Sequence, residues 1–172
     1  DKSDTFTRFV FRNNWFVLTQ TEGAEYVPVP LPSWDVDRAL AALSIERVPF
    51  TMTDGNCQGF ARERQIAISP IAALPLQTTF HEIAHVLLGH TAEAMQSDGE
   101  RTPRSLREVE AESVSMLCCA ALELPGVEFS RGYIQTWNAS GEAIPEASAR
   151  KIFKTADAIL KAGRPTTTED NN

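Results

Sequence analysis

Five consecutive residues constrain this 172-residue chain more than any other stretch: His81-Glu82-Ile83-Ala84-His85. At about 3.6 residues per turn, positions 81 and 85 lie one turn apart on a single helix face. Two imidazoles so placed can bind one Zn²⁺, with Glu82 beside the metal to handle a proton. The chain has three histidines, and all of them fall between positions 81 and 90. The competing reading is a chance match on a solvated helix. Against it, Phe80, Ile83, Ala84, Val86, Leu87 and Leu88 would bury most of this helix, where uncompensated imidazoles are costly.

A catalytic zinc takes three protein ligands and keeps one position open, so a third ligand must be found. His90 is poorly placed for it: five residues beyond His85 is about 140° around a continuing helix, so the ring points away. The pattern with glycine three and histidine six residues after the second histidine also fails, because Leu88 and Thr91 stand there. The ligand should then be a carboxylate, and the best source is Glu108-Val109-Glu110-Ala111-Glu112 near the start of a long predicted helix. Glu108 and Glu112 share one face, while Glu110 lies on the opposite side. Two acids stacked on one half-buried face repel unless a cation or a histidine proton joins them. Alone, the stretch reads as a solvated acidic face; beside a two-histidine half-site it reads as the missing partner. In the gluzincin arrangement the first carboxylate binds metal and an acid one turn later steadies a ligand imidazole. Likeness to it assigns Glu108 to zinc and Glu112 to a histidine, with the reverse assignment as the main alternative.

The bulk numbers set the class. With 172 residues, 42% hydrophobic and 23% charged, the chain suits one globular domain with a real core. No apolar run approaches a membrane span, so no membrane partner is expected. A net charge of −7 gives no support for a nucleic-acid surface. Cys57, Cys118 and Cys119 are odd in number, and two are vicinal in an apolar stretch, which does not suit a disulfide framework. Free thiols and a cytoplasmic location are expected. The chain opens on Asp1 rather than Met, as expected of a trimmed or excised piece of a longer protein.

Periodicity and turn residues predict the organisation. Residues 8–20 read as a hairpin about Asn13-Asn14, followed by a proline-rich loop. Ser33 is the expected N-cap of a helix through Ile45, with Trp34, Ala39, Leu40 and Leu43 inward. A second hairpin is predicted over 48–69, with Val48–Met52 and Phe60–Ser69 joined by Asp54-Gly55-Asn56. The motif helix should run from Leu76 to Leu88 with Gly89 as C-terminal cap. An exposed loop (91–103), a helix over Ser105–Leu122, a turn at 138–141 and a helix over Glu146–Ala162 follow. The last should bury Ile152, Phe153, Ala156, Ile159 and Leu160. In domain terms, 1–7 is a disordered N-terminus, 8–162 one domain, and 163–172 a polar disordered tail.

His81-Glu82-Ile83-Ala84-His85 followed by Glu108-Val109-Glu110-Ala111-Glu112 resembles the zincin-like metallopeptidases related to ImmA/IrrE, and most of all the C-terminal domain of ArdC-type antirestriction proteins. Gln20-Thr21-Glu22-Gly23, Asp54-Gly55-Asn56-Cys57-Gln58-Gly59-Phe60-Ala61 and Tyr133-Ile134-Gln135-Thr136-Trp137 extend the likeness over roughly residues 9–162. The resemblance implies an α+β, gluzincin-type fold: a small antiparallel or mixed sheet packed on the HExxH helix and on a second ligand-bearing helix. It further implies one Zn²⁺ per chain, a bacterial or mobile-element setting, and a role in antirestriction or in DNA-damage and repressor regulation. Single-stranded-DNA binding belongs in that family to a separate N-terminal domain, so contact with DNA is expected only indirectly.

In the expected chemistry Glu82 is the general base at a zinc-polarised water, and the substrate is a protein or peptide. Tyr133 is the candidate donor to the developing oxyanion, set against an ordinary packed aromatic. Gly59, Phe60 and Ala61 are the candidate edge strand for an extended substrate, set against a plain hairpin strand. The alternative function is a non-catalytic zinc domain serving as a protein-interaction module in a DNA-protecting protein. Glu82 weighs for the enzyme, since a purely structural site has no use for it.

Overall fold

Three short strands and five helices make up the described part of the chain in the computed structural model, an α+β architecture. The described residues are Gln20, Glu22, Gly23, 33–53, 56–91, 103–137 and 144–165. The chain divides into two compact units, Asp1–Pro30 and Leu31–Asn172, and every described element belongs to the second. In chain order these are α1 (Val36–Ala42), β1 (Glu46–Arg47), β2 (Gly59–Arg62), β3 (Gln65–Ile68), α2 (Pro75–Leu87), α3 (Arg104–Ala121), α4 (Val127–Trp137) and α5 (Glu146–Ala162). The predicted hairpin over 8–20, nearly all of the loop over 91–103, the turn at 138–141 and the tail beyond Pro165 lie outside the described residues.

The N-cap of α1 is Asp35 rather than Ser33: its carboxylate accepts from the Arg38 amide at 2.7 Å. The helix stops at Ala42, short of the predicted Ile45, because Ser44 turns to φ 53° and breaks the repeat. The sheet has the order β1-β3-β2, with β1 parallel and β2 antiparallel to β3. The second predicted hairpin is corrected here. Val48–Met52 forms no strand, although the Val48 amide donates to the Ile66 carbonyl at 2.9 Å; β3 pairs instead with β2 through the tight Glu63-Arg64 turn, in register from Gly59↔Ile68 to Arg62↔Gln65. A two-residue connection brings its strands together at a smaller closure cost than the longer loop through position 54. Ile66, Ala67 and Ile68 are all buried, as expected of a central strand covered on both faces.

Pro75 opens α2 at a position where no amide is missed. Phe80, Ile83, Ala84 and Val86 sink into the core beside Ala111, Val114 and Cys118 of α3 and Ile152, Ala156 and Ile159 of α5. Trp34 meets Phe80 edge-on at 4.8 Å, and its indole N–H donates to the Ile159 carbonyl at 3.1 Å. Phe153, predicted inward, is 64% exposed: it lies about 100° around the helix from the buried Ile152–Ala156–Ile159 stripe. Helix α4 was not expected from the sequence. Cys118 and Cys119 are free and buried, and burial pushes their thiols up to about 12 and about 11. No described helix is long and apolar enough to cross a membrane.

Candidate metal centre

The one-turn spacing on α2 sets the His81 and His85 rings edge to face, 4.7 Å between centroids, with their Nε2 atoms 3.0 Å apart. From α3, the Glu108 Oε2 atom lies 3.5 Å from His81 Nε2 and 3.7 Å from His85 Nε2. A tetrahedral zinc with bonds near 2.1 Å separates its ligand atoms by about 3.4 Å, so the three edges match that polyhedron. These three residues form a group able to hold a metal ion. The donor set, two imidazoles and one carboxylate, suits zinc.

Glu112, one turn beyond Glu108, accepts from His81 Nδ1–H at 2.9 Å. Its other oxygen accepts from the Gln77 amide at 3.1 Å, and the same amide nitrogen donates to Ser130 Oγ of α4 at 2.8 Å. Ser115 Oγ donates to the Gln77 carbonyl at 2.9 Å. The geometry therefore has Glu108 at the point where both Nε2 atoms converge and Glu112 behind one ring, not the reverse. With Nδ1 of His81 donating to Glu112, its Nε2 is the atom turned towards Glu108 and His85.

His90 overturns the phase argument made for it. The helix does not continue: Leu88 is its C-cap and Gly89 takes φ +76°, a left-handed turn natural to glycine. The Gly89 amide donates to Val86 O at 3.2 Å and the His90 amide to His85 O at 2.9 Å, the paired bonds of a Schellman motif. The chain thereby folds back, and His90 Nδ1 comes to 2.9 Å from His85 Nδ1. Glu110, on the far face of α3 from Glu108, is buried and accepts from His90 Nε2–H at 2.9 Å.

Glu82 is buried, 7% exposed, and its Oε1 sits against Gly59 of β2. A Cβ at position 59 would stand 3.0 Å from that oxygen and 2.7 Å from Thr78 Cγ2, so glycine leaves the carboxylate its room. Burial pushes the Glu82 carboxyl up, and Glu108 adds to this against the opposing pull of His81, to about 7. Burial disfavours a charged His81, but hydrogen bonds to Glu108 and Glu112 outweigh it and bring the ring to about 10. His85 is pushed down, chiefly by burial. Burial would raise Glu108, yet the two rings beside it, His81 first, hold it well below the usual carboxylate range. Such a cluster binds a proton tightly where a cation would otherwise sit.

The cluster lines a cleft of about 1080 Å³. Gly59 and Ala61 line one wall, whereas Phe60 alternates away and packs near Phe50 at 6.0 Å between ring centroids. Among the described residues β2 pairs with β3 alone, so its other edge is unpaired there. Tyr133 and Phe129 of α4 also line the cleft, 46% and 74% exposed. Sequence reasoning missed Gln77, Ser130, His90 and Glu110. The Gly89 cap was the available signal for His90, since a helix that ends there must turn back. Compared with known protein families, curated proteins and solved structures, the chain matches none.

Proposed function

We propose that this chain is a zinc-dependent metallopeptidase of the zincin-like, gluzincin type, related to ArdC and ImmA/IrrE proteins and acting on a protein or peptide. The observation that carries the reading is the convergence of His81, His85 and Glu108 at 3.0–3.7 Å, with Glu82 buried beside them in an open cleft. Bound there, zinc would supply Lewis acidity, drawing the pKa of a water towards about 7. Glu82, itself near 7, is matched to take a proton at neutral pH and to return it to a leaving amine. Glu112 orients His81 through Nδ1. The edge of β2 at Gly59 and Ala61 offers backbone groups to an extended substrate. Tyr133 is the residue from which a hydroxyl would meet charge developing on the carbonyl oxygen. With a net charge of −7, the setting in antirestriction or repressor regulation would be reached through a protein target rather than DNA.

The test joins zinc content to hydrolysis of an unfolded-protein panel by wild type, Glu82→Gln and His81→Ala. The expected result is about one zinc per chain, kept in Glu82→Gln and lost in His81→Ala. Hydrolysis should fall at least roughly a hundredfold in both variants. Activity unchanged in Glu82→Gln would overturn the general-base role. A protective phenotype that survives Glu82→Gln and fails in His81→Ala would replace the enzyme with a zinc-built interaction module.

A further inference from the structure

His85 needs a partner at Nδ1 just as His81 does, yet no carboxylate meets it there. Its Nδ1 faces His90 Nδ1 at 2.9 Å, and His90 Nε2 faces Glu110 Oε2 at 2.9 Å. A carboxylate only accepts, so His90 donates through Nε2 and turns Nδ1 to the Nδ1 of His85, whose Nε2 faces the metal group. His85 must then donate through Nδ1, which leaves its Nε2 lone pair aimed at His81 and Glu108. Each hydrogen bond fixes the tautomer of the next ring. The two supporting side chains are buried, 6% exposed at His90 and 3% at Glu110, behind a His85 ring that is 14% exposed. The chain of hydrogen bonds is also anchored at both ends. Ser148 of α5 lies near enough to Glu110 to help hold its carboxyl down, the Gly89 turn fixes the His90 backbone, and Arg107 Nη1 donates to the His90 carbonyl at 3.2 Å.

We infer that His90 and Glu110 are positioning residues for the metal site, a two-member relay from α3 that sets the tautomer and aim of His85. The inference rests on the zinc reading above. It makes the two histidine ligands symmetric in support: His81 is backed by Glu112, and His85 by Glu110 through an interposed imidazole. It also gives Glu110 a role that its position on the far face of α3 conceals. The competing account is a buried His–Glu pair that merely staples the end of α2 to α3, and the experiment must separate the two.

Zinc dissociation constants by chelator competition, with melting of the metal-free protein, are measured for wild type and three variants. His90→Asn places an amide oxygen where Nδ1 stands and keeps an acceptor for His85. His90→Gln places its amide at the Nε2 end, towards Glu110. The double variant His90→Leu with Glu110→Leu removes both polar groups together and leaves no buried charge unpaired. The relay predicts a zinc Kd about 10–100-fold weaker in His90→Gln and in the double variant, the usual range for losing such a support. Asn should stay within about threefold of wild type, and the metal-free double variant should melt near wild type. Long-range ¹H–¹⁵N spectra of the zinc form should show His90 as the Nε2–H tautomer and His85 protonated on Nδ1. Zinc affinity unchanged in the double variant, Gln equal to Asn, or His90 protonated on Nδ1 would each overturn the relay. A wild-type protein that binds no zinc would instead overturn the metal reading on which the relay stands.

Discussion

Zinc binding here should release protons by an amount that the metal-free cluster already sets. His81, at about 10, carries a proton at pH 7, whereas His85 is pushed down and Glu108 is held well below its usual range, so neither does. The metal must displace that proton. Three pH units below the His81 value, at about 1.4 kcal/mol per unit, the displacement costs on the order of 4 kcal/mol. Apparent zinc affinity should therefore rise about tenfold per pH unit from roughly pH 6.5 towards 9. Glu82, near 7, adds a fraction of a proton at pH 7 that Glu82→Gln should remove, leaving about one. The perturbation is Glu112→Gln, which takes away one of the two carboxylates holding the His81 proton. The rise in affinity should then level off at a lower pH. Calorimetry in two buffers of different ionisation enthalpy at pH 7 counts the protons, and chelator competition across pH gives the slope. A release near zero at pH 7, or an affinity flat between pH 6.5 and 9, would refute the reasoning.

Three further outcomes follow from the same geometry. The metal-free protein should melt highest between about pH 4.5 and 6.5. The His81 pairing is complete below its ordinary 6.5 and lost as pH rises through about 10, while the lowered Glu108, Glu110 and Glu112 lose theirs as pH falls below 4.5. Buried Glu82, raised to about 7, lowers stability as pH rises from 4.5 to 7, and His85, pushed down by burial, offsets this by lowering stability as pH falls below 6.5. A metal-free melting point that climbs from pH 6.5 to 9 would contradict this. Glu108→Ala should weaken zinc binding by more than a hundredfold and more than any change at Glu110, since Glu108 alone meets both Nε2 atoms; equal losses at the two positions would exclude Glu108 as the ligand. Gly59→Ala should cost about 1–3 kcal/mol by overpacking against Thr78 Cγ2 and the Ala67 carbonyl, roughly 2–12 °C in a calorimetric scan. It should also depress hydrolysis more than zinc content, because the new methyl crowds Glu82 and not the ligands.

Local periodicity was enough for the part of the site that lies along single helices. His81 with His85, and Glu108 with Glu112, sit one turn apart whatever the rest of the chain does, because a helix face repeats every 3.6 residues. The burial of Phe80, Ile83 and Ala84 follows from the same repeat. Tertiary packing decided the rest. That Glu108 rather than Glu112 meets the two Nε2 atoms depends on how α3 lies against α2, and no spacing within α3 encodes it. The sheet follows a pairing choice between two candidate turns, and α4 joins the site through the Ser130–Gln77–Glu112 bonds that link three separate helices. His90 stands between the two cases. Gly89 announced the end of α2 in the sequence, but only the packed structure supplied Glu110, buried on the other side of α3, to hold the ring once the chain had turned back.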